Sequence, residues 1–356
     1  MKRTSVKMIL LVCAAIISVI FGVGVGSVYI SPGDIFAILA NHLFGVPLPE
    51  TVSAVHSSMV MDLRLPRVLL AFCTGGALAV SGTVMQSVLK NPLASSYGLG
   101  VSAGAGLGAS LVMVAGLSSG ILGAFLLPAV SLSFGVATVF IVIGISSRID
   151  RGLSNVTIIL MGMIASLFFT AIMDMLATSS PENAQRINLW TLGSFSMRGW
   201  IGVRVLFPVT VLSLLVFLRY STEMDIMTFG EEQAQALGVD VKKSKRFLTA
   251  LVAVLTGTAV AFVGIIGFVD LIAPHVVRRF FGSSHRKALP YSAVHFWFCA
   301  TWQPAPLSRR GKSPSAPSQL CWGRRSLFIS FFPDERGDRF VTDRTSQLRI
   351  WRRARR

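Results

Sequence analysis

Charged residues make up only 14% of this sequence, against about 25% in ordinary soluble domains, while 53% of it is hydrophobic. So little charge over so much apolar sequence excludes a soluble globule of 356 residues. Cysteine is sparse too. Cys13, Cys73, Cys299 and Cys321 have no metal-ligand spacing, and two of them lie in apolar runs, where a thiol acts as a small hydrophobe. The signatures of catalysis are missing. There is no H-E-x-x-H, and the five histidines are scattered. The one Gly-Lys-Ser, Gly311-Lys312-Ser313, has Pro306 where a phosphate-binding loop needs glycine. Gly22, Gly24 and Gly26 lie in an apolar run with no strand before them, which argues against a dinucleotide fingerprint. The expectation is a chain that is not an enzyme by itself and binds no metal or cofactor directly.

What the sequence does have is long apolar runs. About 20 residues at 1.5 Å each cross a bilayer core. Met8 to Tyr29, Val68 to Val88, Ile121 to Ile145, Val156 to Ala177, Val203 to Leu218 and Leu248 to Val269 qualify, and the Gly-rich stretch Gly98 to Ala115 is a weaker seventh. One such run could be a signal peptide; seven cannot. The fold class is therefore an all-α, polytopic transmembrane helical bundle.

Orientation follows from the basic residues. Lys2, Arg3 and Lys7 precede the first run and place the N-terminus in the cytoplasm by the positive-inside rule. Alternation then puts residues 30–65 and 179–200 outside. Lys90, Arg148, Arg151 and the cluster Lys242, Lys243, Lys245, Arg246 all fall inside, so no basic cluster conflicts with the count. Gly100, Gly104 and Gly108 repeat every fourth residue, and Gly75, Ser81 and Gly82 cluster one span earlier. In lipid, helices associate through small residues that let backbones approach, so these positions are read as packing seams.

Two segments carry more than composition. The first is Leu63-Arg64-Leu65-Pro66-Arg67, followed by Gly75-Gly76-Ala77-Leu78-Ala79, Ser81-Gly82, Gln86, Asn91-Pro92-Leu93-Ala94 and Leu99-Gly100-Val101-Ser102. The second is Gly230-Glu231-Glu232, Ala236-Leu237-Gly238-Val239, Gly264-Ile265-Ile266-Gly267-Phe268 and Leu271-Ile272-Ala273-Pro274-His275. Together they closely resemble the permease family of ABC importers for iron siderophores, haem and vitamin B12, from about Ile30 to about Leu289.

The resemblance implies about ten spans per subunit, roughly eight of them retained here, in a homodimer or permease pair embedded in membrane lipid. Two ATPase subunits that consume ATP would sit below, and an extracytoplasmic substrate-binding protein above. It implies that residues 229–240 form the coupling helix, with Gly230, Glu231, Glu232, Ala236, Leu237 and Gly238 facing the ATPase. Carboxylates suit the start of such a helix and Gly238 its end. Arg64 and Arg67 align with arginines that receive carboxylates of the binding protein; by residue type alone they are interfacial snorkels or ties to loop carbonyls. Ser154, Asn155 and Val156 align with the family's cytoplasmic gate, and equally suit a helix N-cap. Asp270 departs from the family's glycine. Either it belongs to the translocation path, as an ionisable group in a membrane segment suggests, or it faces water near the outer end of a short span. An ion-gradient-driven secondary transporter is the alternative function. It requires charged relays near mid-membrane, and these runs have almost none.

The formal charge of +17 invites a nucleic-acid partner, but residues 295–356 hold 13 Lys and Arg against 4 Asp and Glu, or +9 of it. Residues 1–294 form the membrane domain and carry an ordinary basic excess. From about Val294 the apolar period stops and a Pro-, Ser- and Arg-rich tail begins. A one-nucleotide shift accounts for it. Taking the third base of each codon with the next two, Cys321-Trp322 forces leucine and Trp322-Gly323 forces glycine. In that frame residues 311–331 permit a reading like the family's last loop and final span. The tail is therefore read as out of frame and without a fold of its own, and the product as non-functional for uptake. A one-nucleotide correction near codon 294 is expected to restore uptake. Resequencing the gene and comparing uptake by the two products checks this, and uptake by the uncorrected chain would overturn it.

Overall fold

The computed structural model describes residues 2–295, apart from Ser27, Glu50, Thr51, Ser118, Ser119, Arg151, Met197, Arg198 and Ser283. Arg151 and the tail 296–356, on which two of the sequence expectations bear, lie outside the described residues. Among those described, the chain is helical and has no strands.

The helices are α1 (Lys2–Gly24), α2 (Pro32–Phe44), α3 (Ala54–Ser58), α4 (Leu65–Val88), α5 (Val101–Val114), α6 (Gly120–Ile149), α7 (Asn155–Ser179), α8 (Pro181–Thr191), α9 (Gly199–Arg219), α10 (Ser221–Met227), α11 (Glu231–Ala236), α12 (Val241–Val263), α13 (Val269–Phe281) and α14 (His285–His295). A π-helical turn, Met59–Arg64, joins α3 to α4, so Ala54–Val88 runs on as one rod. Its cause is visible in the sequence. Pro66 has no N–H to offer the preceding turn; Leu65 bonds back five residues to Val60 O instead of four, which widens the turn.

Among the described residues five helices are long and apolar enough to cross a bilayer: the rod ending in α4, α6, α7, α9 and α12. The apolar part of α1 (Met8–Gly24) and α5 are shorter; at 1.5 Å per residue α5 is only about 21 Å long. The most apolar stretch of α4 is 89% buried and that of α12 67%, against 17% for α7 and 28% for α6 and α9. Thus α4 and α12 form the centre. The others leave Phe140, Leu167, Phe168, Leu212 and Leu215 outward, toward lipid or a second subunit.

Packing about this centre is reciprocal. Helix α4 packs on α13 and α14, the two that follow α12; α12 packs on α5 and α6, the two that follow the loop after α4. Small residues make the contacts possible. A Cβ at Gly108 would lie 2.9 Å from both Val130 O and the Phe134 Cβ on α6, and one at Gly104 would overlap the Thr138 hydroxyl. The Gly104 and Gly108 seam is therefore a packing seam. Gly100 has another use: with φ +84 it ends the short 3-10 turn Ser96–Leu99 in the left-handed region.

One span expected from the sequence is shorter than it looked. The run Leu248 to Val269 is helical only to Val263, where Gly264 at φ +77 breaks it. Residues 264–268 then descend beside α4 before α13 begins. Six residues reach at most about 20 Å, enough to bring Asp270 down to Gly82, where a Cβ would overlap Asp270 O. Gly82 is about 9 Å along α4 from Val88, so Asp270 lies within the bundle rather than near its outer end.

Candidate coupling and gate site

One end of the bundle gathers Lys90 after α4, Leu153 before α7, Glu231 on α11 and Lys245 on α12. Here α10 and α11 pack on each other as a small unit. Met227, Ala234 and Val241 make its apolar centre. Gly238, at φ +86, closes α11: its N–H reaches Gln235 O at 2.9 Å and that of Val239 reaches Ala234 O at 3.0 Å, a left-handed helix ending. Asp240 then caps α12 by accepting from Lys243 N at 3.0 Å.

Of the coupling residues expected from sequence, Glu232, Ala236, Leu237 and Gly238 are exposed and Gly230 is half-buried. Glu231 is different. Its carboxylate, about one-third exposed, accepts from Lys245 Nζ at 2.7 Å. Phe229 and Leu237, 77% and 67% exposed, frame the tip. The sequence marked Leu237 but not Phe229.

The expected gate residues sit at the start of α7. Asp150 holds the turn before it, accepting from Gly152 N at 2.8 Å and Ser154 N at 2.9 Å; these N–H bonds hold its carboxyl below the usual range. Ser154 caps α7 by accepting from Thr157 N at 3.3 Å. Val156 is 75% exposed, and the Asn155 Oδ1 is buried without a hydrogen-bond partner among the described residues. The segment is thus the N-cap that its residue types suit, with Val156 exposed in the first turn of α7. Lys90 comes near Glu231 and Lys245; burial lowers its pKa, opposed by Glu231 and aided by Lys245.

A second polar chain links α10 to the centre. Asp225 accepts from His285 N at 3.0 Å, from His285 Nδ1 at 2.5 Å and from Ser284 Oγ at 3.1 Å. The other ring nitrogen of His285 meets Ser87 Oγ on α4, to which Arg278 of α13 also donates at 3.1 Å. The order Asp–His–Ser is that of a hydrolytic triad, but Ser87 is 4% and His285 2% exposed, so no substrate carbonyl can reach them. Sequence reading missed this chain because its members lie 59 to 198 residues apart.

Asp270 and Arg64 are both tied within the bundle. Asp270 does not face water. It is 1% exposed, and its Oδ2 accepts from Ser95 Oγ at 2.5 Å, Ser96 N at 2.9 Å and Ser96 Oγ at 3.0 Å. With Tyr97 Oη on Ile266 O at 3.0 Å and Gln86 Nε2 on Leu271 O at 3.3 Å, it fastens the loop after α4 to the loop before α13. Arg64 donates to Val23 O at 2.8 Å, Gly24 O at 3.3 Å and Val28 O at 2.6 Å, the tie to loop carbonyls that its residue type allowed. The half-buried Arg67 makes no hydrogen bond among the described residues. Among those residues no group of three His, Cys, Asp or Glu is placed to hold a metal ion.

A bundle of membrane-length helices centred on two small-residue helices, with two loops tied to each other and the exposed α10–α11 unit at one end, defines a helical membrane permease. The chain belongs to the FecCD transport family, whose profile matches residues 13–299, and it is a membrane permease of ABC import. It is 37% identical over 278 residues to the ABC transporter permease protein YvrB of Bacillus subtilis, covering 78% of each chain. It is 35% identical over 270 residues to the cobalamin import permease BtuC of Halobacterium salinarum, covering 74% of this chain and 68% of that one. To the Fe(3+) dicitrate permease FecD of Escherichia coli it is 31% identical over 268 residues, covering 72% and 81%. A solved inward-facing ABC transporter of metal-chelate type superposes with a TM-score of 0.77 at 26% identity, over 90% of this chain and 97% of that one.

Proposed function

We propose that this chain is the membrane-spanning half of an importer that carries a ferric chelate, haem or a corrinoid such as vitamin B12 into the cytoplasm. The observation that carries the reading is the tip of α10–α11, with Phe229 and Leu237 exposed beside Glu232 on a unit anchored from within. Such a tip fits a cleft in an ATPase subunit, where ATP would be consumed. The tip and the basic loops lie in the cytoplasm, and so does the N-terminus. A second permease copy or a paired permease completes the path, and an extracytoplasmic binding protein delivers the substrate. The test is reconstitution of the chain corrected near codon 294 with the ATPase subunits and binding protein of the same importer: ATP-dependent uptake of one of these compounds is expected, and uptake driven by an ion gradient without the ATPase would overturn it.

On the outer face, Arg67 carries the docking role in this proposal, because Arg64 is held by carbonyls. Arg67→Glu is expected to weaken binding-protein association roughly tenfold, the order of one charge-assisted pair, and more at low salt, where exposed charges are least screened. Arg64→Glu should instead lower thermal stability. Unchanged affinity of Arg67→Glu at low ionic strength would remove Arg67 from the docking surface.

A further inference from the structure

Two features singled out separately, the tip at 229–240 and the segment at 154–156, meet on one side chain. Lys245 lies on the first turns of α12 and is 2% exposed. Its ammonium donates to Glu231 Oε1 on α11 at 2.7 Å and to Leu153 O at 3.1 Å. A lysine this buried must keep its partners, since a buried charge left unpaired is strongly destabilising.

The partner at Leu153 is under constraint of its own. Leu153 has φ +55, a left-handed backbone that a branched side chain rarely adopts. Its side chain is 1% exposed in the main core. Its N–H donates to Asp150 O at 3.0 Å, and the next residue caps α7. Such strained backbone persists only where surroundings over-determine it, and it clusters at switches. Leu153 is thus held by the core on one side and by Lys245 on the other, one residue before the segment that starts α7.

The geometry points to Lys245 as the positioning residue that transmits movement of the ATPase-facing tip to the start of α7. This rests on the proposed importer function. When an ATPase displaces α11, Glu231 moves with it; Lys245, unable to lose its counter-charge in a buried site, follows or shifts its hold on Leu153 O. Either motion alters the turn that sets Ser154 to Val156. Lys245 touches neither the ATPase nor the substrate, and acts through those two partners.

The test uses the full chain in membranes with the ATPase subunits of its importer, and reads labelling rather than uptake. Val156→Cys is labelled with a membrane-impermeant maleimide from the cytoplasmic side, with and without a non-hydrolysable ATP analogue. The chain's own cysteines set the background. In the Val156→Cys parent the labelling rate should change several-fold with nucleotide. With Lys245→Met added, ATPase association should persist and the nucleotide effect should vanish; Lys245→Arg should restore part of it. A nucleotide effect undiminished in Lys245→Met overturns the inference and leaves the importer reading intact. A parent that binds the ATPase but shows no nucleotide effect overturns the gate at 154–156 and this inference with it, and a parent that binds no ATPase overturns both readings. Should Lys245→Met fail to accumulate, Lys245→Met combined with Glu231→Gln, which leaves no buried charge unpaired, must itself abolish the effect, and a persisting effect overturns the inference.

Discussion

Gly82→Val is expected to abolish accumulation of the folded chain in membranes. Residue 82 lies where α4 meets α13, and even a Cβ there overlaps the Asp270 backbone oxygen, with Asp270 Cα only 2.8 Å away. The obstacle is backbone, which cannot rotate aside as a side-chain end would. Overpacking in a core costs about 1–3 kcal/mol and more when neighbours cannot yield. Parting the helices here would also release Asp270 from Ser95 and Ser96, leaving buried polar groups unpaired at about 1–3 kcal/mol each. The sum approaches the 5–15 kcal/mol by which most domains are stable. Ser81→Ala is the control: Ser81 Oγ is buried without a hydrogen bond, so losing it should be harmless or mildly stabilising. Fluorescence-detected size-exclusion of the two variants reads the difference. A monodisperse Gly82→Val protein with unchanged melting temperature would show that α4 and α13 do not pack as described.

The second large effect concerns the tip. Phe229→Asp combined with Leu237→Asp should reduce ATPase association at least a hundredfold while leaving the permease folded. Both side chains are mostly exposed, so the free protein loses little by the change. A partner that buries them would have to desolvate two carboxylates, and central apolar residues dominate interface energies, at about 2 kcal/mol or more each. Charge reversal at Glu231 is a poorer probe, since it breaks the pair with buried Lys245 and so disturbs the permease itself. Co-purification of the ATPase with the double variant at wild-type yield would place the contact elsewhere on the chain.

Much of this was legible from residues in order. The apolar runs marked most spans because lipid demands about 20 such residues whatever the fold. The Gly104 and Gly108 seam was legible because a four-residue step stays on one helix face. Gly238 announced the end of α11 because few other residues accept φ +86. The run Leu248 to Val269 misled for the same kind of reason: hydropathy counts Ile265, Ile266 and Phe268 as span, and cannot see that Gly264 turns the chain back.

The roles of the charged residues were hidden. Arg64 meets carbonyls 36 to 41 residues away, Asp270 meets hydroxyls 174 and 175 residues away, and Lys245 meets Leu153 O across 92. Nothing in a local pattern selects such partners. The sequence by itself determined that this protein is a bundle of membrane helices and where its tight seams fall, because bilayer thickness and helix geometry act on neighbours in the chain. Only the tertiary structure decided which charge answers which: a buried ion must find its partner wherever packing brings one, and packing at that range is a property of the whole fold.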